Sequence, residues 1–167
     1  MVKVKRVKEA PGETKGPMPD GNYKFLVLEA SLLVETINMP GYTGEKRFEH
    51  YEVIEEELGP EPDIESYRQI VEVYLRCEGP AVIQKYRDGL WQTPKGVYKY
   101  RQFLEAIGLD KDGEYDPQEF VEKGGVAYMK GKPNRDGNIF LEATRYYPAN
   151  DAPKVEVVSV PEDDVPF

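Results

Sequence analysis

Histidine and cysteine are almost missing from this chain, which holds one of each, His50 and Cys77. A single cysteine cannot close a disulfide within the chain. One cysteine and one histidine cannot furnish a zinc site by themselves. A Ser-His or Cys-His engine would have to use His50, which stands inside an acidic stretch. No Gly-Lys-Ser/Thr is present, so a Walker-type phosphate cradle is absent. No apolar run reaches about 18 residues, the length that spans a bilayer. Met1-Val2-Lys3-Val4-Lys5-Arg6 leads into no apolar stretch of the secretory type. Residues 110–116 resemble a calcium loop only in their acids. Gly113 comes at the fourth place instead of the sixth, and Val121 stands where the closing Glu belongs, so a turn is expected there. These absences point away from an enzyme, a cofactor, a metal or a membrane, and toward a reducing, cytoplasmic setting.

What is present is acidity of uneven distribution. The net charge is −9, but residues 45–66 hold nine acids against two bases, and residues 151–167 hold five against one. The remainder is left at +2, so the whole-chain charge hides a mildly basic body. At 167 residues and 40% hydrophobic, the chain suits one globular domain with tails. Residues 1–20 carry five bases and three prolines and predict a flexible basic arm. Residues 21–150 are the expected folded domain, and residues 151–167 the linker and acidic tail.

Within the domain, residues 22–35 form a long β-type run, apolar on both faces in its middle and prone to bend near Ala30-Ser31. Residues 38–66 make an excursion in which 47–58 fits a short helix or a strand. Residues 69–77 alternate, with Val71, Val73, Leu75 and Cys77 facing one way and Tyr74 and Arg76 the other. A third strand is expected over 81–87, closed by an Asp88-Gly89 turn. Thr93 and Pro94 signal a helix start, Val97, Tyr100, Leu104 and Ile107 share a face, and Gly108 signals its end. A short helix over 117–123 and strands over 126–130 and 138–147 follow. Three strands, a helix and two more strands predict a mainly β fold, a five-stranded OB-fold barrel with a helix between strands 3 and 4.

Rings beside cations recur along these strands. Tyr74 lies near Arg76, Tyr86 beside Arg87, Tyr128 near Lys130, and Arg145 near Tyr147, while Trp91 follows the third strand and Lys132 and Arg135 mark a basic loop. Flat rings for bases and cations for phosphates are what sequence-tolerant binding of single strands requires. Any one Tyr is more often packing than platform, but the set on this strand order favours nucleic-acid binding.

The stretch from Tyr100 to Leu109, with Gly125-Val-Ala-Tyr-Met-Lys-Gly131 and residues 138–148, resembles a family of phage-encoded single-stranded DNA-binding proteins. The likeness is diffuse, covers roughly residues 22–148, and has no catalytic motif. The last residues, Asp163-Asp164-Val165-Pro166-Phe167, are similar to the acidic Asp-Asp-Ile-Pro-Phe tip of bacterial single-stranded DNA-binding proteins, with Val165 in place of Ile. That resemblance implies docking of replication, recombination or repair proteins. Phe167 and Pro166 would fill a partner's pocket, and Asp163 and Asp164 would meet its basic rim. From the residues alone, Phe167 fits either such a pocket or the chain's own core. The expected partners are thus single-stranded DNA, tail-bound proteins and, for the body, possible further copies of the chain. The competing reading is an acidic adaptor or DNA mimic that engages host proteins without binding DNA. Here the linker 151–160 is short and lacks the Gly/Gln-rich character of the bacterial proteins, which limits its reach.

Overall fold

The computed structural model describes residues 20–79, 83–133, 135–137 and 139–149. The basic arm and the acidic tail, with Asp163, Asp164, Val165, Pro166 and Phe167, lie outside the described residues. Six strands form one antiparallel sheet: β1 (Gly21–Glu35), β2 (Phe48–His50), β3 (Gln69–Glu78), β4 (Ile83–Trp91), β5 (Gly124–Pro133) and β6 (Ile139–Tyr147). Two helices accompany it, α1 (Tyr51–Leu58) and α2 (Val97–Ala106), neither long enough to cross a membrane. The strand path runs β4-β3-β1-β5-β6, with β2 paired to the far end of β1.

The long first run is one strand that serves three neighbours, β5 and β3 along its length and β2 at its end. Residues 21–26 pair with β5 and residues 24–34 with β3, where the register shifts between Val27 and Glu29. A bulge of this kind bends a strand and adds twist, which lets one strand belong to both halves of a curled sheet. A second shift lies between Tyr128 and Met129, where β5 meets β6. The concave side is apolar: Tyr23, Phe25 and Val27 from β1, Val71, Val73, Leu75 and Cys77 from β3, and Met129 from β5 are all buried. Burial pushes the Cys77 thiol up to about 12, so it packs as a small apolar group.

α2 packs into that apolar core, against β4, β5 and β6. Phe103 is fully buried, stacked on Phe25 at 5.8 Å and edge-on to Tyr146 at 5.3 Å and to Phe120 at 5.8 Å. The helix stops where the sequence says it should. Gly108 has φ +84°, its N–H donates to Glu105 O at 3.0 Å, and Leu109 N–H reaches back to Leu104 O at 2.9 Å. This is the paired bonding of a Schellman end, for which a residue without Cβ is suited.

Three expectations change. The sheet has six strands instead of five, because the acidic excursion contributes β2 before α1, and α2 falls between the fourth and fifth. The excursion packs as a satellite core of Val34, Met39 and Ile54 rather than standing out as a loop. The expected Asp88-Gly89 turn is strand interior, since β4 continues to Trp91. Asp88 is buried at 6% exposure, and its partners come from distant sequence, which overrides the local turn preference.

The two ends of the strand path, β4 and β6, share no backbone ladder among the described residues. Side chains bridge them. Tyr86 Oη accepts from Ala143 N at 3.0 Å, and the Tyr146 hydroxyl donates to Asp88. Lys99 on α2 sets its Nζ 3.1 Å from the same carboxylate. Burial, with the Asp88 charge beside it, drives the Tyr146 hydroxyl well above its ordinary range, so it remains a donor.

Candidate nucleic-acid interface

The outward face of β3 and β4 collects cations and rings by register alone. Arg76 stands opposite Lys85, Tyr74 opposite Arg87, Glu72 opposite Gly89, and Ile70 opposite Trp91. Lys85 Nζ lies 5.0 Å over the Tyr74 ring. Arg87 donates through Nε to the buried Glu72 carboxylate at 2.6 Å. Arg76, Lys85 and Lys95 are exposed and lack an ion-pair partner among the described residues. Glu29 on β1, opposite Tyr74, bounds this face with negative charge.

Trp91 ends the row at 39% exposure, large for an indole. It meets Phe48 edge-on at 5.7 Å, and the Arg68 guanidinium lies over its ring at 5.7 Å. Arg47 sits in the same way over Phe48, also at 5.7 Å. Both arginines converge on Glu35, with Arg68 Nε 2.8 Å and Arg47 Nη2 3.0 Å from its oxygens. The excursion thus extends the aromatic row past the end of the sheet.

Beyond Trp91 the chain turns at Thr93, whose Oγ1 accepts from Gly96 N at 3.0 Å, and enters α2. A Cβ on Gly96 would stand 2.7 Å from Trp91 Cβ, so this turn lies close against the indole only because the position is glycine. Between β4 and the start of α2 runs a groove of about 540 Å³, whose lining includes Arg87, Gly89, Trp91, Lys95, Tyr98 and Lys99. Tyr98 is 58% exposed. Of the carboxylates nearby, Glu35, Glu72 and Asp88 are buried and engaged by arginine or lysine, while Glu142, which also lines the groove, is half-exposed and paired with Lys132.

The expected site residues divide into two sets. Tyr74, Arg76, Arg87 and Trp91 share the β3–β4 face. Tyr128, Lys130, Lys132, Arg145 and Tyr147 lie on the outer face of β5 and β6, with Arg135 in the turn between them. There Lys132 is paired with Glu142 at 2.6 Å, and Tyr128 and Tyr147 are half-buried. Tyr86 belongs to neither, because its ring packs against the core and its hydroxyl bridges the β4–β6 seam. Its neighbours Asp88 and Leu90 face inward too, which fixes the parity of β4. Lys85, Lys95, Tyr98 and Arg68 were not among the expected residues. Extending the alternation of β4 through Gly89 would have found Lys85.

A second concavity of about 450 Å³, around Ser31, His50, Glu52, Glu55, Asp116 and Gln118, is acidic. No cluster of three or more His, Cys, Asp or Glu side chains among the described residues is arranged to hold a metal. No protein-family model matches the chain, and no curated protein matches it either.

The Glu35 network makes a pH prediction. Hydrogen bonds from Arg68, joined by Arg47 and opposed by burial, lower its carboxyl from the ordinary 4.5 to about 2. A depressed folded-state value contributes stability that is complete above about 4.5 and is lost as pH falls toward about 2. In acid titrations of thermal stability, Glu35→Gln should therefore fall less steeply than the parent below pH 4.5. Parallel curves would show that this carboxylate is not held by its arginines.

Proposed function

We propose that the protein binds single-stranded DNA without reading sequence, protecting exposed strands in a phage or prophage replication or recombination module. The observation that carries this reading is the row of cations and rings on β3–β4 that ends at Trp91 and opens into the groove below α2. Cations at strand spacing follow a phosphate backbone, and exposed rings offer platforms to unstacked bases. The acidic excursion does not oppose it at close range, because the excursion contributes Phe48 and Arg47 beside this face, with Arg68 just after it.

The domain is, in this reading, an OB-type barrel. β1 pairs with β3 and β5, β3 with β4, and β5 with β6, the OB arrangement short of one closing ladder. OB barrels are themselves partly open, and their second and third strands, here β3 and β4, carry the oligonucleotide. The resemblance to phage-encoded single-stranded DNA-binding proteins supports the same assignment. The tail 163–167 then recruits replication, recombination or repair proteins.

Because Trp91 is the only tryptophan of the chain, its fluorescence reports directly on this surface. Titration with oligo-dT is expected to quench it saturably, more tightly than duplex of equal length. The log–log salt slope should be about −0.7 for each phosphate neutralised. No binding of oligo-dT at low salt would remove this function and leave the acidic adaptor. Equal or tighter binding of duplex would remove the single-strand preference.

A further inference from the structure

We infer that Gly89 is the floor of a slot for one nucleobase, held against Trp91 within the groove under α2; the inference rests on the single-strand reading above. The outer row of β4 is Lys85, Arg87, Gly89 and Trp91, so the only position without a side chain falls between the arginine and the indole. Glycine weakens a strand interior, and in such a place it marks a bulge, a bend or the close approach of something else. A bulge does not apply, because the β3–β4 register runs unbroken from Ile70↔Trp91 to Glu78↔Ile83. Nor does the backbone demand glycine, since Gly89 is not among the residues with positive φ.

Packing gives only a weak reason. A Cβ built at Gly89 has one near neighbour, Ile70 Cγ2 at 3.2 Å, so a side chain here would ask Ile70 to shift by a few tenths of an ångström. What the missing side chain does is leave the groove open. Residues on one face of a strand recur at about 6.6 Å, so one omission clears about 13 Å between Arg87 and Trp91. The chemistry around the gap suits one nucleotide. The exposed indole offers a stacking face, and the exposed Lys95 lines the same groove just before α2. Glu72, opposite Gly89, is buried and engaged by Arg87, so it does not present a free charge to the base. A paired base cannot reach this floor without leaving its stack, which gives the slot a preference for single strands.

The test uses the full chain, with Gly89→Val to fill the slot and Gly89→Ala as the milder variant, and oligo-dT as the probe. Gly89→Val is expected to lose about tenfold in affinity and most of the Trp91 quenching, as for one lost stack. Its salt slope should match the parent's, because the phosphate contacts remain. Gly89→Ala, which asks only a small shift of Ile70, should fall between the two. If the parent binds and both variants bind as tightly with equal quenching, the slot is wrong while the surface reading stands. A salt slope reduced along with affinity would also overturn it, since the whole face would then have been disturbed. If Gly89→Val does not fold, Gly89→Ala decides by the same criteria. A parent that fails to bind removes both proposals together.

Discussion

Asp88→Ala is expected to destabilise the fold by about 3–5 kcal/mol, the usual cost of removing one partner from a buried charged pair. The carboxylate is 6% exposed and receives the Tyr146 hydroxyl from β6 and the Lys99 ammonium from α2. It therefore joins three elements at the β4–β6 seam, where the described residues share no backbone ladder. Alanine would leave a fully buried hydroxyl without its acceptor and a lysine at 18% side-chain exposure without its counter-charge. Asp88→Asn keeps an acceptor of the same shape and loses the charge, so its cost should be smaller. Tyr146→Phe removes one hydrogen bond and should cost about 1 kcal/mol. Urea midpoints of the three variants check the order. An unchanged midpoint for Asp88→Ala would mean that α2 packing alone holds β4 to β6.

Much of this architecture is legible in the sequence because it is local. The alternation of residues 69–77 reports a strand with one dry face, and Gly108 ends α2 as a residue with positive φ should. The Asp88-Gly89 pair misleads for a physical reason. As a dipeptide it has the composition of a hairpin turn, and it is held extended by its pairing with Val73 and Glu72 on β3 and by contacts to residues 99 and 146. That single misjudgement hides three things together: the true length of β4, the inward parity of Tyr86, and the outward row that ends at Trp91. The helix start is likewise displaced. Thr93 does cap a turn, through Gly96, but α2 begins at Val97. Residues 47–58 resist reading because they are strand and then helix, and neither is long enough to show its own period. The division of the ring-cation pairs into two surfaces depends on the sheet path, with β1 between β3 and β5, and no spacing along the chain contains it.

That division sets up the decisive comparison of two double substitutions. Tyr74→Ala with Trp91→Ala is expected to weaken oligo-dT binding by at least about thirtyfold, since each stacked base contributes about 1–3 kcal/mol. Trp91 should account for most of this. It is the more exposed ring, whereas Lys85 already lies over Tyr74 at 5.0 Å. Tyr128→Ala with Tyr147→Ala, on the β5–β6 face, should change affinity by less than about threefold, as surface changes away from a binding site do. With Trp91 gone, a labelled oligonucleotide and its anisotropy supply the readout. The cations extend the argument independently of the rings. Replacing Arg76, Lys85 and Lys95 together should reduce the magnitude of the log–log salt slope by about 2, at about 0.7 for each phosphate no longer neutralised. Rings and charges that map to the same face would place the strand along β3–β4 and into the groove. A large loss from the Tyr128 and Tyr147 pair, with Tyr74 and Trp91 dispensable, would move the strand to β5–β6 and the basic turn at Arg135. The Trp91 row would then be left as packing between the sheet and its acidic excursion.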